Sequence, residues 1–180
     1  MRLGILGGTF DPVHAGHIAM ARSAAAAARL DRVLLVPCAR PPHKERPDLT
    51  DGYHRFGMLA LVVAEEPALS ASPIELQRGG ISYTVDTLRE LRQRHSGADL
   101  CLIIGSDSFA ELADWKAYEE ILGSAAILVV PRPVKEAAPR RPAPGLPLLG
   151  SAAEGIRSGL GNRLPYAALV ATDPVDISST

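Results

Sequence analysis

The sequence predicts an α/β fold: a single Rossmann-like, doubly wound domain with a mostly parallel sheet. Three observations carry that expectation. Residues 2–6 (RLGIL), 32–37 (RVLLVP), 99–105 (DLCLIIG) and 125–130 (AAILVV) are short, continuous apolar runs, the pattern of strands covered on both faces. Helix-favouring stretches separate them, among them the Ala-rich residues 18–30 and residues 83–95, where Val85, Leu88 and Leu91 share one face. Strands alternating with helices force crossover connections, and those make parallel neighbours. The 180 residues suit one domain, 1–180, large enough to bury a core.

Composition narrows the classes. The chain is 47% hydrophobic and 22% charged with a formal net charge of −1, which lacks the basic excess that nucleic acid demands. No apolar run approaches the roughly 20 residues of a membrane span. Asp11 and His14 stand where a signal peptide would place its apolar stretch, so a cytoplasmic location is expected. Cys38 and Cys101 fit reduced, small core residues better than a disulfide. Neither a nucleic acid nor a membrane is expected as a partner, and a homodimer is left open.

Taken in order, residues 39–51 form a loop with three prolines and the basic side chains Arg40, His43, Lys44 and Arg46. Thr50 or Asp51 caps the next helix, for which His54, Phe56, Met58, Leu59 and residues 61–63 supply the apolar or semi-apolar faces. Pro67 stops it. Residues 69–76 hold a short strand, and Arg78-Gly79-Gly80 a turn. Residues 107–122 give one or two short helices around Trp115. Residues 131–147 contain six prolines and are expected to be a mobile loop, followed by a helix at 151–160 and a last strand at 166–170.

The densest chemistry lies at residues 7–17, GGTFDPVHAGH, between the first strand and its helix. An open α/β sheet binds ligands at such turns, and a helix start offers N–H groups and a positive dipole end to phosphate. Gly7 and Gly8 allow close backbone approach, and His14 and His17 add two side-chain donors. The spacing of Gly4, Gly7 and Gly8 does not fit G-x-G-x-x-G, and no Gly-Lys-Ser/Thr marks a P-loop. A zinc site lacks a third ligand at metal spacing. A tight turn capped by two histidines is the bland alternative. The combination of Gly-Gly-Thr-Phe, Asp-Pro and His-x-Gly-His favours a nucleotide phosphate site.

This segment resembles the His-x-Gly-His signature of the nucleotidyltransferase superfamily, and its wording resembles the bacterial nicotinate-nucleotide adenylyltransferases. The resemblance implies ATP contacts at Gly7, Gly8, Thr9, Phe10, His14 and His17. Further segments resemble the same family in the same order. Pro41-Pro42-His43-Lys44 implies that Lys44 holds the acceptor phosphate as a point charge. Ser82-Tyr83-Thr84-Val85 opens a helix; Ser82 or Thr84 can cap it, and the resemblance implies mononucleotide contacts at Thr84 and Val85. Gly105-Ser106-Asp107 ends a strand, where Asp107 can meet a ribose hydroxyl or a magnesium ion. Trp115 falls where the family stacks tryptophan on the pyridine ring; the next position, often aromatic there, is Lys116 here. Pro131-Arg132-Pro133 implies a phosphate contact at Arg132. Ile177-Ser178-Ser179-Thr180 resembles the start of an Ile-Ser-Ser-Thr-x-Ile-Arg motif that holds ATP phosphates. The sequence stops before its Ile-Arg pair, so the domain is expected to lack a closing helix.

The resemblance implies transfer of AMP from ATP, with Mg²⁺, to nicotinate mononucleotide, giving deamido-NAD and pyrophosphate. His14, His17 and Lys44 would be the catalytic groups. No metal held by protein side chains alone is expected. The attacking phosphate is already anionic, so positioning and charge stabilisation suffice without a general base. Three readings compete: transfer to another acceptor such as phosphopantetheine, a nucleotide-binding module without turnover, and an interaction protein with an incidental turn. A flat ring for Trp115 to stack on argues against phosphopantetheine.

Overall fold

In the computed structural model the described residues are 1–42, 47–131, 148–149 and 167–170. They form a seven-stranded sheet of order β3-β2-β1-β4-β5-β7-β6, parallel at every pairing. The strands are β1 (Arg2–Gly8), β2 (Arg32–Pro37), β3 (Leu69–Ala71), β4 (Asp99–Gly105), β5 (Ala126–Val130), β6 (Leu148–Leu149) and β7 (Ala167–Leu169). The helices are α1 (Ala15–Ala28), α2 (Gly52–Val63), α3 (Ile74–Arg78), α4 (Thr84–Arg94), α5 (Ser106–Ala110) and α6 (Tyr118–Ser124), with a 3-10 turn at Leu112–Asp114.

The sheet is doubly wound, as expected. Alternate strand residues feed two separate cores. On one face Leu6, Val33, Leu35, Ile103 and Leu128 pack with α1 and α2. On the other Ile5, Leu34, Val36, Leu102 and Ile127 pack with α3, α4 and α6. A residue facing either way meets apolar cover, which is why these strands are continuous rather than alternating.

α1 begins three residues earlier than its apolar pattern suggested, so His17 lies inside its first turn with His14 as cap (φ −142°, ψ 170°). Asp51 caps α2, accepting from the N–H groups of Tyr53 (2.9 Å) and His54 (3.3 Å). Residues 61–63 do not form its buried face together: Val63 is buried, Leu61 is 79% exposed and Val62 43%. A period of 3.6 places Arg55, Leu59 and Val63 on one stripe, and Arg55 is fully buried there. α3 and the two-residue β6 are shorter than any pattern a sequence window detects. Cys38 and Cys101 are free, buried thiols, and burial pushes Cys101 up to about 12. No helix among the described residues is long and apolar enough to cross a membrane.

The expected loop at 131–147 apart from Pro131, the expected helix at 151–160, and Lys44, Arg132, Ser178, Ser179 and Thr180 lie outside the described residues.

Candidate active site

Because the strands are parallel, their carboxyl ends share one edge. The chain winds outward from β1 to β2 and β3, then returns to the other side of β1 for β4 and β5. The winding direction therefore reverses between β1 and β4, and a crevice opens outside their carboxyl ends. Gly7 and Gly8 end β1 on one side of it, and Gly105 ends β4 on the other, leading into Ser106 and Asp107 of α5. Asp107 is exposed at this edge.

The segment after β1 owes its shape to Phe10. Its backbone is left-handed (φ 51°), which costs a bulky residue about 1–3 kcal/mol. Its ring is completely buried in the α1–α2 core, a contribution of about 1.5–3 kcal/mol that offsets the strain. Phe10 was expected among the ATP contacts; its side chain is committed to the core, and its backbone is the part that can meet a ligand. The two glycines also differ. A Cβ on Gly8 would come within 3.2 Å of the Phe10 ring, whereas one on Gly7 would meet nothing within 4 Å. Gly8 accommodates the anchor, and Gly7 borders open space.

His14 and His17 are brought together, their rings stacked with centroids 3.8 Å apart at 28°. The His14 N–H donates to His17 Nδ1 (3.3 Å), and the His17 N–H donates to the His14 carbonyl (3.0 Å). With Nδ1 accepting, the neutral ring carries its proton on Nε2, a donor at the start of α1. The dipole end of α1, Gly7 and two imidazoles thus converge at one corner of the crevice.

The opposite side is built on α4. Ser82 and Thr84 do not cap it. Tyr83 occupies the cap position without a side-chain bond, because Ser82 Oγ is taken by the Ala39 N–H (2.9 Å). Among the described residues no acceptor meets the N–H groups of Thr84 or Val85. The Val85 side chain is buried, so its backbone alone is available to a ligand. Trp115 is half-buried against the second core, against which Tyr83 and Tyr118 also pack. Lys116 Nζ lies 4.1 Å from the Tyr83 ring centroid and 3.1 Å from Asp86 Oδ2, joining the tryptophan's segment to the start of α4. At the His14–His17 corner the arrangement offers a helix terminus and imidazole donors, groups suited to phosphate.

The profile of the cytidylyltransferase-like family matches residues 5–180. The chain belongs to that family. Two relatives of this cytidylyltransferase-like chain are both named "probable nicotinate-nucleotide adenylyltransferase". The one from Trichlorobacter lovleyi is 47% identical over 135 residues, 75% of this chain and 63% of the relative. The one from Citrifermentans bemidjiense is 44% identical over 133 residues, 74% of this chain and 62% of the relative. The match thus spans less than two thirds of those relatives' length. A solved structure of Plasmodium falciparum nicotinic acid mononucleotide adenylyltransferase complexed with NaAD superposes with a TM-score of 0.71 at 16% identity. That superposition covers 97% of this chain and 77% of the other, and shows that the two share a fold.

One group that sequence reasoning passed over is Arg55, between His54 and Phe56. Its Nε donates to the Thr50 carbonyl (2.8 Å), Nη1 to that of Thr9 (2.5 Å) and Nη2 to that of Cys38 (2.7 Å). Its spacing of four from Leu59 and eight from Val63 was the available signal. Glu75 was also passed over. It is buried and accepts from Thr87 Oγ1 (2.5 Å), and burial pushes its carboxyl above the ordinary value of 4.5 against the pull of Thr87, Ser82 and Arg78.

Proposed function

We propose that this chain transfers the adenylyl group of ATP to the 5′-phosphate of nicotinate mononucleotide, releasing pyrophosphate and forming deamido-NAD. ATP enters as its magnesium complex. The observation that carries the reading is the pairing of His14 and His17 at the start of α1, on the β1 side of the reversal point. The names of relatives at 44% and 47% identity support the choice of acceptor.

In this reading the ATP phosphates seat against Gly7 and the first turn of α1. His17 Nε2–H stabilises charge growing on the phosphates as the bond to pyrophosphate breaks. The acceptor phosphate attacks the α-phosphorus directly, and the site's work is alignment. Lys44 and Arg132 serve the phosphates, as do Ser178, Ser179 and Thr180, and Asp107 serves a ribose hydroxyl or the magnesium ion. The pyridine ring stacks on Trp115, and its carboxylate takes N–H bonds from Thr84 and Val85. Donors set for a carboxylate would face the NH₂ of an amide with another donor, which penalises the amide.

Pyrophosphate release with ATP and each of three acceptors tests the reading: nicotinate mononucleotide, its amide analogue and phosphopantetheine. Turnover with the first, at a kcat/KM well above the others, is expected. Trp115→Ala should weaken the mononucleotide by about 1–3 kcal/mol, by analogy with base stacking. Equal values for acid and amide would overturn the acid assignment, and no turnover with either would overturn the activity.

A further inference from the structure

Arg55 is a cation with no exposed surface, and among the described residues it donates three hydrogen bonds to backbone carbonyls. Those carbonyls belong to three separate segments: Thr9 after β1, Cys38 after β2 and Thr50 before α2. The segment after β1 is held a second time, because the Thr50 N–H donates to Asp11 Oδ2 (3.1 Å). Thr50 therefore grips that segment through Asp11 and is itself gripped by Arg55. Between these two points lies Phe10, in a backbone conformation that a bulky residue adopts only when its surroundings impose it.

We infer that Arg55 is a positioning residue that holds the Gly7–His17 corner in the shape that receives ATP phosphates. The inference rests on the proposed seat of ATP. It goes further in assigning the corner's geometry to a group that touches neither substrate. A planar guanidinium with donors in a fixed fork can meet three carbonyls at once. A lysine ammonium is a point donor and cannot span them. Removing the fork leaves three carbonyls short of a donor at buried or part-buried positions, which they relieve by moving. The Thr9 carbonyl moves with the loop that carries Gly7 and Gly8 on one side and His14 on the other. A displacement of about 1 Å in such a site costs about 10²-fold in rate.

The test uses the full chain with Arg55→Lys and Arg55→Ala. Three measurements are made on each: thermal melting, the Kd of Mg-ATP by calorimetry, and kcat and KM for both substrates. Arg55→Lys is expected to fold, to bind Mg-ATP at least tenfold more weakly and to lose about 10²-fold in kcat. Its KM for the mononucleotide should change less than its ATP affinity. Methylguanidinium should restore ATP binding to Arg55→Ala and leave the parent unchanged. Where Arg55→Ala does not fold, Arg55→Lys carries the test alone. A folded Arg55→Lys with the parent's ATP affinity and kcat overturns the inference, as does a fall in Tm without any change in those two. A parent chain that fails to bind ATP overturns the proposed seat and the inference with it. A parent that binds ATP without turning over the mononucleotide overturns the activity alone and leaves the ATP-binding comparison to decide on Arg55.

Discussion

The His17 imidazole meets the buried Phe10 ring edge to face, centroids 4.8 Å apart at 63°, while its other side stacks on His14. Phe10 is held by the core and His14 by the start of α1, so His17 is supported from two directions before any ligand arrives. Its Nδ1 is occupied by the His14 N–H, which settles the ring's tautomer as well. Such support keeps a donor aimed at a fixed point, which is what charge stabilisation in a transition state requires.

His17→Ala should therefore act on the chemical step. Its kcat is expected to fall about 10²–10³-fold, the loss typical of removing one preorganised donor. KM for the acceptor should move far less. Steady-state rates of pyrophosphate release supply both values; a large rise in acceptor KM with kcat preserved would contradict the role.

Two glycines of β1 should separate structure from ligand binding. A Cβ at Gly4 would lie 2.7 Å from Leu30 Cδ1, 3.0 Å from Val33 Cγ2 and 3.1 Å from Ile103 Cδ1. Gly4→Ala should thus overpack the core and destabilise by about 1–3 kcal/mol, read from denaturant unfolding. A Cβ at Gly7 meets nothing within 4 Å. Gly7→Ala should leave stability within about 0.5 kcal/mol of the parent. Its methyl group would project into the space assigned to the phosphates, and Mg-ATP should bind about tenfold or more weakly, a loss of 1.4 kcal/mol or more.

Glu75 should give the stability a pH dependence of known sign. Burial raises its carboxyl above 4.5, so the folded chain holds this proton more tightly than the unfolded one. Its contribution is full below about pH 4.5 and is lost as the pH rises through the folded value. Glu75→Gln keeps an acceptor for Thr87 without the charge. Subtracting its melting profile from the parent's should show the parent losing ground as pH rises from 4 towards neutrality. About 2–4 °C in Tm corresponds to each kcal/mol for a chain of this size. A difference that is flat, or that runs the other way, would remove Glu75 as the source.

The sheet was legible because each strand carries its own evidence. The runs at 32–37 and 99–105 match β2 and β4 residue for residue, since cover on both faces makes every position after the exposed Arg32 and Asp99 apolar. The corner at residues 7–17 was legible because a strand, a glycine pair and a helix start are adjacent in sequence. Arg55 was not, because a charged residue on a helix reads as a solvated face until its acceptors are known. Those acceptors lie 46, 17 and 5 residues away, on three different segments. Ser82 was misread for a similar reason. It suits a helix cap locally, yet the Ala39 N–H, 43 residues away, takes its oxygen.

By itself, then, the sequence determined the fold class, the order of most elements and the residue types at the corner proposed for phosphate, because periodicity, glycine placement and helix propensity act over a few neighbours. Tertiary structure alone decided that Phe10 belongs to the core, that Gly7 and not Gly8 borders open space, and that a buried guanidinium ties three segments together. The first two depend on how side chains pack once the chain has folded, and the third on backbone carbonyls up to 46 residues away, which leave no trace in side-chain composition.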